Sequence, residues 1–256
     1  RFQSNFESYM LDQFPLRDTF RTLKALAVRD LFREKDNNGI YVADGYAAKL
    51  DPTLNESSLD HAADRFRYVY ETYLKDTDAK VYLSIIPDKN YFLAADNGYP
   101  SLDYERFFAD MREKTDFAAY VDLREGLSLS SYYRTDTHWR QEELLPVAKL
   151  LADAMGAEIA EDFTSVTLGT PFSGVYRGQS ALPMPPDTLT YLTNDALEGC
   201  RVYDYENDAY LPIYTLDKAG GNDPYEIFLS GPKSLLRIEN PNSATERNLI
   251  VLRDSF

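Results

Sequence analysis

The sequence predicts an α/β fold: a mostly parallel sheet with helices on both faces, giving three layers, elaborated by a β-rich insertion. Three observations predict it. Short apolar runs of strand character alternate with amphipathic helical stretches before residue 164, the arrangement that right-handed crossovers turn into a parallel sheet. From Thr164 the texture changes to frequent Gly, Pro and Asn, dense tyrosines and short alternating runs. The apolar run Leu249-Ile250-Val251-Leu252 then restores the core pattern. The organisation expected is therefore a core with N-terminal helices over 1–163, an insertion over 164–246, and a return to the core over 247–256.

In chain order, residues 6–32 carry apolar side chains at helical spacing broken at Pro15, which predicts a short helix, a break, and then a helix with Leu16, Phe20, Leu23, Leu26 and Leu31 inward. The segment from Gly39 to Tyr46, with Asp44-Gly45 between two extended runs, predicts a tight hairpin. Ser57 or Ser58 is the expected cap of a helix reaching Lys75, and His61 sits in its polar first turn, a solvated position. Lys80 to Pro87 reads as a buried strand, 103–114 as a helix, and Ala118 to Leu123 as a second strand. An amphipathic helix runs from the Asp136-Thr137-His138 segment to about Met155. Within the insertion, Cys200 to Tyr205 and Ser234 to Ile238 read as hairpin strands.

Bulk properties exclude some functions. A net charge of −15 and a pI near 4.6 oppose a phosphate-rich partner, so nucleic acid is not expected. No apolar run approaches the roughly 18 residues that a membrane span requires. A single cysteine, Cys200, rules out an intrachain disulfide and leaves the compartment open. The first residues, Arg1-Phe2-Gln3, have neither an initiator Met nor a hydrophobic leader, which points to a trimmed natural N-terminus; the last, Asp254-Ser255-Phe256, follow a strand-like run directly, which points to a truncated C-terminal core.

Chemistry concentrates in two places. With His61 and His138 the only histidines, a histidine-dependent mechanism has two candidates. His138 lies two residues after Asp136, and in extended backbone such residues share a side, so the carboxylate can orient the imidazole as a general base. The structural alternative is that Asp136 or Thr137 caps the following helix and Trp139 packs beneath it. Ser255, just past a predicted buried strand, stands where open α/β sheets place their ligands; its structural alternative is again a helix cap. Lys89, Tyr133 and Arg134, near strand ends or the motif, are candidate substrate contacts. An Asp-x-His pair also suits a divalent metal, but the sequence offers neither a further motif histidine nor a cysteine cluster to complete a site, so no metal and no cofactor is expected.

Together the two segments carry a resemblance. Arg134-Thr135-Asp136-Thr137-His138-Trp139 resembles the signature of the DHHW family of bacterial proteins and of the related alginate O-acetyltransferases, and Leu249 to Phe256 resembles their later strand and serine turn. Phe6-Glu7-Ser8-Tyr9, Phe14 to Asp18, the turn near Asn38-Gly39, Ile86-Pro87-Asp88-Lys89 and Gly174-Val175-Tyr176 fit the same layout, so the resemblance extends over most of the chain. It implies a circularly permuted, three-layer SGNH hydrolase-like fold with Ser255 as nucleophile, His138 as base and Asp136 as its orienter. It also implies an extracellular or cell-envelope location, often behind an N-terminal signal or anchor. Thr137 departs from the second His of the family name, as in the acetyltransferase relatives, and Arg253 stands where the serine turn usually has Gly.

The implied activity is serine-dependent acyl-ester chemistry, O-acetyl transfer or acetyl-ester hydrolysis, on a bacterial cell-surface or extracellular polysaccharide, with that carbohydrate and an acyl donor as partners. Abundant tyrosine suits a carbohydrate surface. The competing reading is a non-catalytic glycan-binding protein on the same scaffold.

Overall fold

The structure, a computed structural model, describes residues 5–6, 9–10, 13–243 and 245–253. After α1 (Arg17–Leu26) comes a hairpin of β1 (Ile40–Ala43) and β2 (Tyr46–Lys49), paired antiparallel from Ile40↔Lys49 to Ala43↔Tyr46. Its turn residues Asp44 and Gly45 both adopt positive φ, 48° and 80°, which is what makes Asp-Gly a tight-turn pair. Helix α2 (Glu56–Val69) continues through a π-helical turn, Tyr70–Leu74, and is capped by Asn55, whose side chain accepts from the Ser58 amide. Thus the cap is Asn55 rather than either serine, and the helix starts two to three residues earlier than expected.

Strand β3 (Tyr82–Leu83) is followed by α3 (Asn90–Leu93), then α4 (Tyr104–Lys114), capped by Asp103, then β4 (Ala119–Tyr120). β3 and β4 pair parallel, and bonds from Ala119 N to Val81 O (2.9 Å) and Val121 N to Leu83 O (2.8 Å) lengthen the ladder. Helix α5 (Leu145–Met155) ends on Gly156 in the left-handed conformation, φ 61°. Val121, Leu123, Leu127 and Val147 form a buried cluster between this sheet and α5, with Trp139 packed against it. The β-rich region opens with β5 (Thr164–Phe172), α6 (Val175–Ser180) and β6 (Asp187–Thr193), β5 and β6 pairing antiparallel. After α7 (Asp195–Glu198), β7 (Arg201–Asp204) lies between β8 (Ala209–Leu211) and β9 (Leu236–Glu239), both antiparallel to it. The two hairpin strands expected at 200–205 and 234–238 are therefore partners of each other.

Helices and strands mix as an α/β fold requires, but three expectations need correction. Among the described residues the sheets are small, and β3–β4 is the parallel pair; the rest are antiparallel, so the large, mostly parallel sheet is not seen. Leu249, Ile250, Val251 and Leu252 are exposed and form no strand, because the run finds no neighbouring ladder among the described residues against which to bury its side chains. Likewise α1 does not turn its apolar stripe inward: Leu16, Phe20, Leu23 and Leu31 are exposed, Leu26 is half-buried, and the buried residue of α1 is Ala25. Only a small residue of this helix meets the core, leaving the large ones on the outer faces. No helix of the described residues is long and apolar enough to cross a membrane.

Candidate active site

The Asp136-Thr137-His138 segment is the turn of a short hairpin, not the start of a helix. Tyr132 bridges Trp139, Tyr133 N donates to His138 O (3.1 Å), and Arg140 N donates to Ser131 O (2.7 Å), so the chain reverses across Arg134 to Thr137. Because α5 begins only at Leu145, Asp136 is not its cap. The carboxylate instead holds its own loop. Asp136 Oδ1 accepts from the His138 amide (2.9 Å) and meets His138 Nδ1 at 2.6 Å, while Oδ2 accepts from the Val175 amide (2.8 Å).

Burial alone pushes the Asp136 carboxyl up, but the bonds from the His138 ring, the His138 amide and the Val175 amide outweigh it, and the group sits below the ordinary carboxylate range. An ionised carboxylate on Nδ1 selects the tautomer with its proton there and leaves Nε2 as the basic nitrogen. With side-chain exposures of 3% for Asp136 and 15% for His138, the acid is enclosed and the imidazole is mostly so.

The surroundings of this pair come from distant parts of the chain. Thr135 Oγ1 donates to Asp187 Oδ2 (2.6 Å), and the Arg134 and Thr135 amides donate to the same carboxylate at 2.9 and 2.8 Å. Thr135 Oγ1 accepts from Gly174 N (2.9 Å), and Thr135 O accepts from Tyr176 N (3.0 Å). Glycine is required at 174 by proximity, since a Cβ there would lie 2.2 Å from Asp136 Cβ. Tyr225, in the 3-10 turn Pro224–Ile227, stacks on the His138 ring at 4.2 Å between centroids and 17° between planes. Burial raises the Tyr225 hydroxyl pKa and the Arg253 guanidinium pulls it back, so the last described residue lies close enough to act on the aromatic wall of the histidine.

Of the residues singled out in the sequence, Asp136 and His138 are brought together, whereas Ser255 lies outside the described residues. Arg134 is exposed, its guanidinium 5.9 Å from the centre of the Tyr46 ring. Lys89 and Tyr133 are both enclosed. Tyr133 is wholly buried with Phe172, Leu189, Ala219 and Ile227, and Lys89 is 2% exposed beneath the motif. Sequence reasoning missed Asp187 and Tyr225. One aspartate among many acidic residues and one of 20 tyrosines carry no local signal, because their roles arise from contacts across more than fifty positions. Gly174 and Val175 were legible only through the family resemblance.

No protein-family profile and no curated protein matches the sequence. Solved structures do match in fold. A DHHW family protein from Eubacterium siraeum is similar over 82% of this chain and 73% of its own, with a TM-score of 0.65 at 18% identity. PatB1 of Bacillus cereus is similar in two states: with a sulfonyl adduct (TM-score 0.62, 16% identity, 80% of this chain and 75% of that one) and without it (0.61, 16%, 81% and 77%). The chain thus shares the fold of the DHHW family protein that its motif resembles.

Proposed function

We infer that the protein is a serine-dependent acyl-ester enzyme, an O-acetyltransferase or acetylesterase acting on a bacterial cell-surface or extracellular polysaccharide. The observation that carries this reading is the enclosed Asp136 carboxylate on Nδ1 of a stacked His138, the orienter–base half of a hydrolytic triad. Ser255 is assigned as nucleophile by the resemblance of its turn, and the charge of Arg253, two residues earlier, is felt at the hydroxyl of Tyr225, whose ring stacks on His138. The fold is also that of a protein, PatB1, captured with a sulfonyl adduct, and sulfonyl groups are taken up by nucleophilic side chains.

In the reaction, His138 Nε2 takes the Ser255 hydroxyl proton as Oγ attacks the acyl carbonyl. The imidazolium, stabilised by Asp136, returns that proton to the departing alcohol oxygen, leaving an acyl-serine. A sugar hydroxyl or water then attacks, His138 taking its proton and restoring it to Ser255. The acyl donor is an ester, and the acceptor alone separates transfer from hydrolysis. A location outside the cell or in its envelope follows from this substrate.

Acetyl-ester hydrolysis by the wild type beside Ser255→Ala and His138→Ala tests the reading. Each substitution is expected to lower the rate by roughly a thousandfold or more. Equal rates in all three would discard the enzyme and leave the glycan-binding alternative.

A further inference from the structure

Beneath the motif lies a charged group that the reaction does not use. Lys89 is 2% exposed, and its Nζ donates to the carbonyl of Tyr133 at 2.9 Å and approaches that of Arg134 at 3.5 Å, the two peptides that lead into Arg134 and Thr135. The ring of Tyr176, from α6, covers it at 4.9 Å. Its own loop is pinned to the same hairpin a second time, where the Tyr132 hydroxyl donates to the carbonyl of Pro87. A buried ammonium with two carbonyls and an aromatic face as neighbours is a fixed post rather than a solvated side chain.

We propose that Lys89 is a positioning residue for the Asp136–His138 pair, its ammonium clamping the carbonyls of the approach to the motif so that Asp136 is presented to His138 Nδ1. This rests on the catalytic reading only for its consequence; the clamp itself stands on the geometry. The charged groups facing Lys89 are Asp88 on its own loop, Asp136 on the motif and Asp187 on β6, with the Tyr176 ring above. All three carboxylates favour the ammonium, but burial outweighs them and brings its pKa down to about 7. The charge-assisted bonds to the two carbonyls therefore weaken to those of a neutral amine within the neutral range, and the clamp loosens as pH rises through it.

The readout is the His138 Nδ1–H proton resonance, which its bond to a carboxylate moves far downfield and which a Nδ1–Asp136 separation abolishes. The chain's other histidine, His61, is assigned by His61→Gln. In the wild type the resonance is expected to weaken as pH rises from 6 to 9. In Lys89→Arg, which stays charged, it should persist across that range, and in Lys89→Met it should be lost or weak throughout. A wild-type signal that keeps its full intensity to pH 9, or a folded Lys89→Met with the wild-type signal, would overturn the proposal. Should Lys89→Met fail to fold, the comparison of wild type with Lys89→Arg still decides. Ester hydrolysis on the same samples separates the two readings: the expected resonances without turnover in any sample would retain the clamp and reject the acyl-ester enzyme.

Discussion

At the scale of single residues, the site depends on one close approach and one ionised acid. Gly174 packs its Cα against Asp136 where no side chain fits, and a Cβ would meet Asp136 Cβ at 2.2 Å and Oδ2 at 2.4 Å. Gly174→Ala is therefore expected to displace the carboxylate from His138, abolishing most ester hydrolysis and lowering stability by about 1–3 kcal/mol, as read by activity and chemical denaturation. A fully active Gly174→Ala would contradict the geometry. Asp136 itself has its folded pKa below the unfolded value, so its stabilisation is fully present above the ordinary carboxylate range and is lost as pH falls through the folded value. The stability difference between wild type and Asp136→Asn, measured by denaturation from pH 7 down to pH 3, should shrink on acidification; a constant gap would show that the charge contributes nothing.

At the scale of elements, local signals were legible and long-range ones were not. The Asp44-Gly45 hairpin, the 103–114 helix and the parallel pairing of the strands near 82 and 119 follow from turn chemistry, capping and apolar runs, all encoded within a few residues. The start of α2 differs from the expected one because three residues of capping type lie within four positions, Asn55, Ser57 and Ser58, and sequence does not say which one takes the extended conformation. Asn55→Ala is accordingly expected to cost about 1 kcal/mol and Ser58→Ala much less, a contrast that thermal melts of the two variants measure directly. The motif hairpin shows the same limit. Asp136 and His138 at i and i+2 were legible as a pair, but their backbone is a turn closed by Asp187, Gly174 and Val175, whose sequence separation hides them. Helix α1 and the 249–252 run mislead in the opposite sense: their apolar pattern is real, and the surface to bury it is absent from the described residues.

At the scale of the whole molecule, the β-rich region is part of the site rather than an appendage to it. Asp187 fixes the motif from β6, Tyr225 stacks on the His138 imidazole, and α6 supplies both the Val175 amide and the Tyr176 ring. The net charge of −15 makes anionic glycans unfavourable at long range, so binding to a neutral acetylated polysaccharide should change less with ionic strength than binding to an anionic one, which should strengthen with salt as repulsion is screened. Affinity for the two polymer types measured from low to physiological salt checks this. Ser255 is expected to be acylated under the control of His138 and Asp136. Treating the protein with a sulfonyl fluoride and reading the modified peptide by mass spectrometry tests it most directly: one adduct on Ser255, absent from Ser255→Ala and formed far more slowly in His138→Ala, is the predicted result, whereas equal labelling of wild type and Ser255→Ala would contradict it.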